Sequence, residues 1–176
     1  MKFERTEIPG VWRMDPEPHT DPRGFFARTW CAAEAAFRGM NPTCVQCNVS
    51  FNRWRGTLRG MHWQEAPRAE AKLIRCTRGA VWDVALDLRR SSPMFGKWLG
   101  WELSAENRSM VYLPEGVAHG FQTLEDNTEL FYQMSEAYEP HLARGVRWDD
   151  PAFAIRWPIP KPILSDRDRS YEDFAL

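Results

Sequence analysis

The chain has 176 residues, 23 of them basic and 24 acidic, and a net charge of −1. That length suits one domain with a sizeable core, and the interspersed charges form no basic stripe or block, which excludes nucleic acid and membrane surfaces as expected partners. Nineteen of the basic residues are arginine, a bias that suits phosphate recognition because guanidinium offers a planar fork to anionic oxygens.

In chain order, residues 2–15 alternate loosely around Pro9-Gly10, which predicts strand, turn, strand. Asp21-Pro22-Arg23-Gly24 is a turn, and residues 25–30 after it read as a strand. Residues 31–38 are rich in helix formers and stop at Gly39, so a short helix is expected there. From residue 43 to residue 135 the signals are nearly all strand and turn. Residues 45–51 alternate, and residues 73–77 and 80–88 flank Arg78-Gly79 as in a tight hairpin. Residues 97–103, 110–113, 121–124 and 128–135 continue the series. Short strands at this regular spacing predict an all-β sandwich or barrel. Pro151, Pro158, Pro160 and Pro162 then predict an irregular tail wrapping the body, with one short helix over 166–174. Nine tryptophans and ten phenylalanines suit a β-rich core or a pocket for flat ligands.

No repeat, linker or low-complexity tract divides the chain, so residues 1–176 read as a single domain. The first ten residues carry no apolar signal core and no run approaches membrane-spanning length. A soluble cytoplasmic protein is expected. Cys44-Val45-Gln46-Cys47 has CxxC spacing, but no second pair accompanies it for zinc, and it lies in a strand-like run rather than at a helix start.

The chemically dense stretch runs from Gly56 through Leu58-Arg59-Gly60-Met61-His62-Trp63-Gln64 to Lys72. In an extended segment, alternation puts Leu58, Gly60, His62 and Gln64 on one face, and Arg59, Met61 and Trp63 on the other. An inward histidine near a lysine can serve as a base beside an anion-stabilising cation. The competing reading is a core histidine satisfied by hydrogen bonds.

Gly56, five residues, then His62, together with Pro114-Glu115-Gly116-Val117-Ala118-His119, resemble the paired motifs of cupin barrels. Metal-binding cupins continue the first motif as His-x-His with an acid shortly after. Here Gln64 replaces the second histidine and no acid falls at the usual offset, which favours a metal-free barrel and keeps a metal-dependent cupin as the rival.

Further segments extend the likeness from about Arg5 to Phe174. They are Asp21-x-Arg23-Gly24-x-Phe26, Gln46-x-Asn48-x-Ser50, Leu58 to Gln64, Lys72-Leu73-Ile74-Arg75-Cys76 and Asp83-Val84. Asp87-Leu88-Arg89, Ser92-Pro93-x-Phe95-Gly96, the second cupin motif, Tyr132 and Leu164-Ser165-Asp166-Arg167-Asp168 complete them. In this order the chain resembles the dTDP-4-dehydrorhamnose 3,5-epimerases, metal-free cupin-type enzymes acting on nucleotide-linked 4-keto-6-deoxy sugars. The resemblance implies an all-β, cupin-type jelly-roll barrel with a few short peripheral helices, no cofactor, and a homodimer.

It also implies roles. His62 would be the base, Asp168 the carboxylate that orients it, Lys72 the cation on the enolate oxygen, and Tyr132 the proton donor on the opposite face. His119 would line the sugar site. Arg59 and Arg23 would lie near the diphosphate, Arg23 reaching across a dimer interface with Phe26. Gln46, Asn48, Tyr138 and Arg167 would complete the substrate contacts. Tyr132 argues for inversion at both C3 and C5, against epimerisation at one carbon only. Arg28 stands where family members often carry a glutamate, which leaves the nucleotide base open, whereas Trp63 for a common tyrosine and Arg167 for a common lysine keep aromaticity and charge. A non-catalytic sugar-nucleotide binding module is a further rival, which the four catalytic groups together speak against.

Overall fold

The computed structural model describes residues 1–175, and strands make up most of its regular structure. The first two, β1 (Lys2–Arg5) and β2 (Trp12–Asp15), pair antiparallel. The turn between them passes through Gly10 at φ +82°, a left-handed conformation that glycine adopts without a Cβ penalty. A separate ribbon follows, β3 (His19–Asp21) with β4 (Gly24–Phe26). The strand expected over 25–30 ends at Phe26: no sheet neighbour beyond β3 continues it, and Arg28 turns to bond Glu34 at 2.8 Å. Glu34 lies on α1 (Ala32–Phe37), which stops before Gly39 at φ +73°.

The strands that follow are β5 (Gln46–Asn52), β6 (Leu58–Gln64), β7 (Lys72–Arg78), β8 (Ala80–Asp87), β9 (Trp98–Ser104), β10 (Met110–Leu113), β11 (Val117–Thr123) and β12 (Thr128–Met134). The tail adds β13 (Ala143–Gly145), which its irregular sequence did not predict, and α2 (Asp166–Arg169), shorter than the helix expected over 166–174. One sheet runs β1-β2-β10-β7-β12-β5, the other β13-β6-β11-β8-β9. This is the double-sheet jelly roll of cupin-type barrels.

The hairpin expected at Arg78-Gly79 does not form. β7 pairs with β10 and β12, β8 with β9 and β11, so the chain crosses there from one sheet to the other. The reason is burial. Ile74 and Cys76 from β7 meet Val81 and Ala85 from β8 in the core between the sheets, which side-by-side pairing would not allow. Gly79 makes the corner at φ +71°, against Thr128.

The outer faces are covered as well. α1 supplies Ala35 to a cluster with Met14, Leu73, Met110 and Tyr112, and the C-terminal tail lays Val146, Phe153 and Ile155 over Met61, Val84 and Leu86. Each large apolar side chain so buried contributes about 1.5–3 kcal/mol. Along the inner face, β7 carries Lys72, Ile74 and Cys76 opposite Met134, Tyr132 and Leu130 of β12. The apolar end of these rows is core, and the other end opens into a cavity.

Candidate active site

The cavity holds about 520 Å³ between the two sheets. Ten of the twelve side chains singled out from the sequence line it: Gln46, Asn48, Arg59, His62, Lys72, His119, Tyr132, Tyr138, Arg167 and Asp168. Arg23 and Phe26 do not. They sit on the β3–β4 ribbon, Phe26 is 74% exposed, and Arg23 forks onto Asp21 at 2.6 Å.

Strict alternation along β6 would aim Arg59 away from His62. Instead both face the cavity, because the β6–β11 pairing is irregular. His119 pairs with His62 and Phe121 with Arg59, so two residues on β6, Gly60 and Met61, oppose one on β11, Gly120. Such a bulge re-aims side chains. Gly60 lies inside it at φ +132°, where a Cβ would strike the backbone of Gly120. Met61 turns outward into the core under the tail. Asn52, buried, accepts from Arg59 Nε at 2.8 Å and fixes the arginine in place.

His62 Nε2 lies 2.6 Å from Asp168 Oδ1. Ser165 donates its hydroxyl to Asp168 Oδ2 at 2.9 Å and, as N-cap of α2, accepts from the Asp168 backbone N–H. Burial works against the Asp168 charge, but the His62 and Ser165 hydrogen bonds outweigh it and hold the carboxyl below its ordinary value. An ionised carboxylate only accepts, so Nε2 carries the proton and Nδ1 keeps the basic lone pair. The imidazole remains 35% exposed. Ser165 was missed as a positioning group. The S-x-x-D pattern before a helix is the signal that could have found it.

His119, directly across the sheet from His62, has its own carboxylate: Nε2 lies 2.8 Å from Asp83 Oδ2 on β8. Its ring also packs edge-on to Tyr132, with centroids 5.9 Å apart. Burial pushes the Tyr132 phenol well above its ordinary value, beyond what its hydrogen bond with Ser50 offsets. It is a neutral donor throughout the physiological range.

Lys72 is buried, its Nζ 2.9 Å from Glu70 Oε1 and 3.4 Å from the His62 carbonyl oxygen. Glu70 also lines the cavity, and its other oxygen has no partner among the described residues. Gln64, in the position of a cupin's second histidine, spends its amide on the backbone: it donates to Arg68 and Ala137 carbonyls and accepts from Glu139 N–H. Among the described residues, no three His, Cys, Asp or Glu side chains converge in a way that could hold a metal ion. Cys44 and Cys47 are free and exposed, with sulfurs 3.7 Å apart, outside this cavity.

Arg59, Arg144 and Arg167 join Lys72 around the cavity, against the carboxylates of Glu70 and Asp168, each already paired. The excess of guanidinium suits a diphosphate. Gln46 donates to Asn48 at 3.0 Å and accepts from the Tyr138 backbone N–H at 3.2 Å, joining the edge strand to the Tyr138 loop. Arg167 Nε donates to the Tyr171 hydroxyl at 2.7 Å, and Tyr138 lines the same part of the cavity.

The chain matches the family profile described as dTDP-4-dehydrorhamnose 3,5-epimerase over residues 5–175. It is 43% identical to the dTDP-4-dehydrorhamnose 3,5-epimerase of Shigella flexneri, covering 99% of this chain and 97% of that one. A dTDP-4-dehydrorhamnose 3-epimerase of Streptomyces niveus is 41% identical over 96% of this chain and 82% of its own length. The crystal structure of the Bacillus anthracis dTDP-4-dehydrorhamnose 3,5-epimerase, with TDP and pyrophosphate bound, superposes with a TM-score of 0.94 at 39% identity, covering 98% of this chain and 99% of that one. With a family match of this extent and relatives this similar over nearly their whole length, the chain belongs to the dTDP-4-dehydrorhamnose 3,5-epimerase family.

Proposed function

We propose that this enzyme inverts C3 and C5 of dTDP-4-dehydro-6-deoxy-D-glucose to give dTDP-4-dehydro-L-rhamnose. The observation that supports the reading is that His62, on β6 of one sheet, and Tyr132, on β12 of the other, line the same cavity and so can serve as the two proton-transfer groups. Inverting a carbon next to a ketone means removing its proton, holding the enolate, and returning a proton to the other side. His62 Nδ1 takes the proton while Asp168 supports the imidazolium. Electrons pass to the carbonyl oxygen, which Lys72 stabilises as a preorganised cation. Tyr132 delivers a proton to the opposite face. Exchange with solvent restores both groups, so neither metal nor redox cofactor enters this scheme.

The nucleotide diphosphate lies along Arg59 and Arg167, with Gln46, Asn48 and Tyr138 toward the base and His119 against the sugar. The working unit is a homodimer in which the β3–β4 ribbon of each subunit carries Arg23 and Phe26 to its partner's cavity. The ribbon's exposed Phe25 and Phe26, and the exposed Val49 and Phe51 on edge strand β5, support that arrangement. A cytoplasmic enzyme fits the four unpaired cysteines, and among the described residues no helix is long and apolar enough to cross a membrane.

The test is NMR of the enzyme with dTDP-4-keto-6-deoxyglucose in D2O without added metal. Deuterium entering at C3 and C5 is the expected result. Label at C3 alone would support the single-carbon chemistry in the name of the Streptomyces niveus relative and remove Tyr132 from its role. No label at either carbon would overturn the reading. For the dimer, mixing Arg23→Ala with His62→Ala subunits should restore activity that neither variant has alone.

A further inference from the structure

Tyr171 lies beyond α2 and plays no part in the scheme above, yet its ring packs edge-on to the His62 imidazole, with centroids 6.1 Å apart and planes at 66°. The space it fills is made by a missing side chain. Gly145 on β13 pairs directly with His62 on β6, and a Cβ there would fall within the Tyr171 ring, 2.6 Å from its hydroxyl oxygen. That hydroxyl accepts from Arg167 Nε at 2.7 Å. The phenol therefore touches both halves of the site, the base on one side and a phosphate-facing arginine on the other.

We propose that Tyr171, seated in the slot left by Gly145, is a positioning residue: its ring braces the His62 imidazole against Asp168, and its hydroxyl aims the Arg167 guanidinium into the cavity. A single hydrogen bond to Asp168 fixes one atom of a ring that is 35% exposed. An edge-on neighbour fixes the plane as well. On Arg167, engaging Nε leaves both terminal amino groups as a fork for anionic oxygen. The proposal rests on His62 being the base.

Ring and hydroxyl are separable. Tyr171→Phe keeps the brace and loses the acceptor, so KM should rise about 3–10-fold, the scale of one ordinary hydrogen bond, with kcat nearly unchanged. Tyr171→Ala loses both, so kcat should also fall, by about tenfold, the scale of a small misplacement of a catalytic group. Gly145→Ala expels the ring and should reproduce Tyr171→Ala. In the double variant Gly145→Ala/Tyr171→Ala the new methyl finds the slot empty, and the losses should not add. The His62 imidazole 15N resonances at fixed pH should match wild type in Tyr171→Phe and move in Tyr171→Ala, a change that mere destabilisation would not select.

Additive losses in the double variant, or wild-type kcat and KM in both tyrosine variants, would overturn the proposal. His62→Ala run alongside keeps the two readings apart. If it turns over substrate, His62 is not the base, while the Gly145–Tyr171 coupling and the Arg167-dependent KM stay measurable.

Discussion

Two histidines occupy one rung of the five-stranded sheet, each with an aspartate on Nε2, and the two pairs are built differently. Asp168 arrives on α2, and its second oxygen is satisfied by Ser165. Asp83 comes from the neighbouring strand, fully buried, and its second oxygen has no partner among the described residues. The His62 side chain is 35% exposed to the cavity, that of His119 only 7%. A base needs access to substrate, a route for its proton, and a carboxylate that stays ionised. His62 has all three. His119 is held too deep to exchange freely, and its neighbours are aromatic, Phe121 and Tyr132. The proposed mechanism accordingly assigns proton transfer to the pair whose wiring is complete and open, and a fixed contact to the buried one.

The comparison breaks most sharply at the two aspartates. Asp168→Asn leaves the shape but removes the anion that sets the His62 tautomer, and kcat should fall about 10³–10⁴-fold, as in triads. Asp83→Asn should cost far less turnover and be read chiefly in KM. Equal losses in steady-state kinetics would erase the distinction. Next in size, Tyr132→Phe should lose C5 inversion and keep C3 proton exchange, with a deficit of about 10²–10⁴-fold confined to one carbon. Deuterium still entering at both carbons would remove the phenol from the opposite face.

The remaining predictions concern the frame. Gly60→Ala forces a Cβ onto Gly120 at a backbone angle suited to glycine and should cost about 3 kcal/mol or more in urea unfolding. It should also disturb Arg59 and His62 together, since the bulge aims both. The smallest effect is on acid stability. The folded-state values of Asp168 and Asp87 are lowered: burial opposes both charges, but His62 and Ser165, or Arg89 and Ser92, outweigh it. A depressed carboxyl stabilises the fold above its unfolded value of about 3.9, and that contribution is lost as pH falls through the folded value. Unfolding midpoints should therefore drop below about pH 4, and less steeply in Asp168→Asn.

Much of this was legible in the sequence because it is local. Turns at Gly10 and Gly39, and the alternating rows of β5 and β12, follow from residue type and period. The placement of Lys72 and Tyr132 at the site was implied by the family resemblance, since alternation alone marks Tyr132 only as an inward core residue. The rest depends on distant partners. Arg78-Gly79 looks like a hairpin because turn chemistry is local, whereas which sheet receives β8 is decided by β9 and β11. Arg59 was assigned to the wrong face because a bulge is a property of two strands, and one strand's pattern cannot register it. Ala143 to Gly145 has no strand signature, since its pairing is supplied by β6. Asp83, Glu70 and Tyr171 carry no local mark of their roles, which arise only where separate segments meet.

The most direct measurement is single-turnover loss of the C3 proton in D2O, followed by NMR, for His62→Ala and His119→Ala side by side, with dTDP affinity measured on both. The account predicts that His62→Ala abolishes exchange by at least about 10³-fold while dTDP binding stays near wild type, and that His119→Ala still exchanges. Exchange surviving in His62→Ala and vanishing in His119→Ala would contradict it, and would move the base to the buried pair.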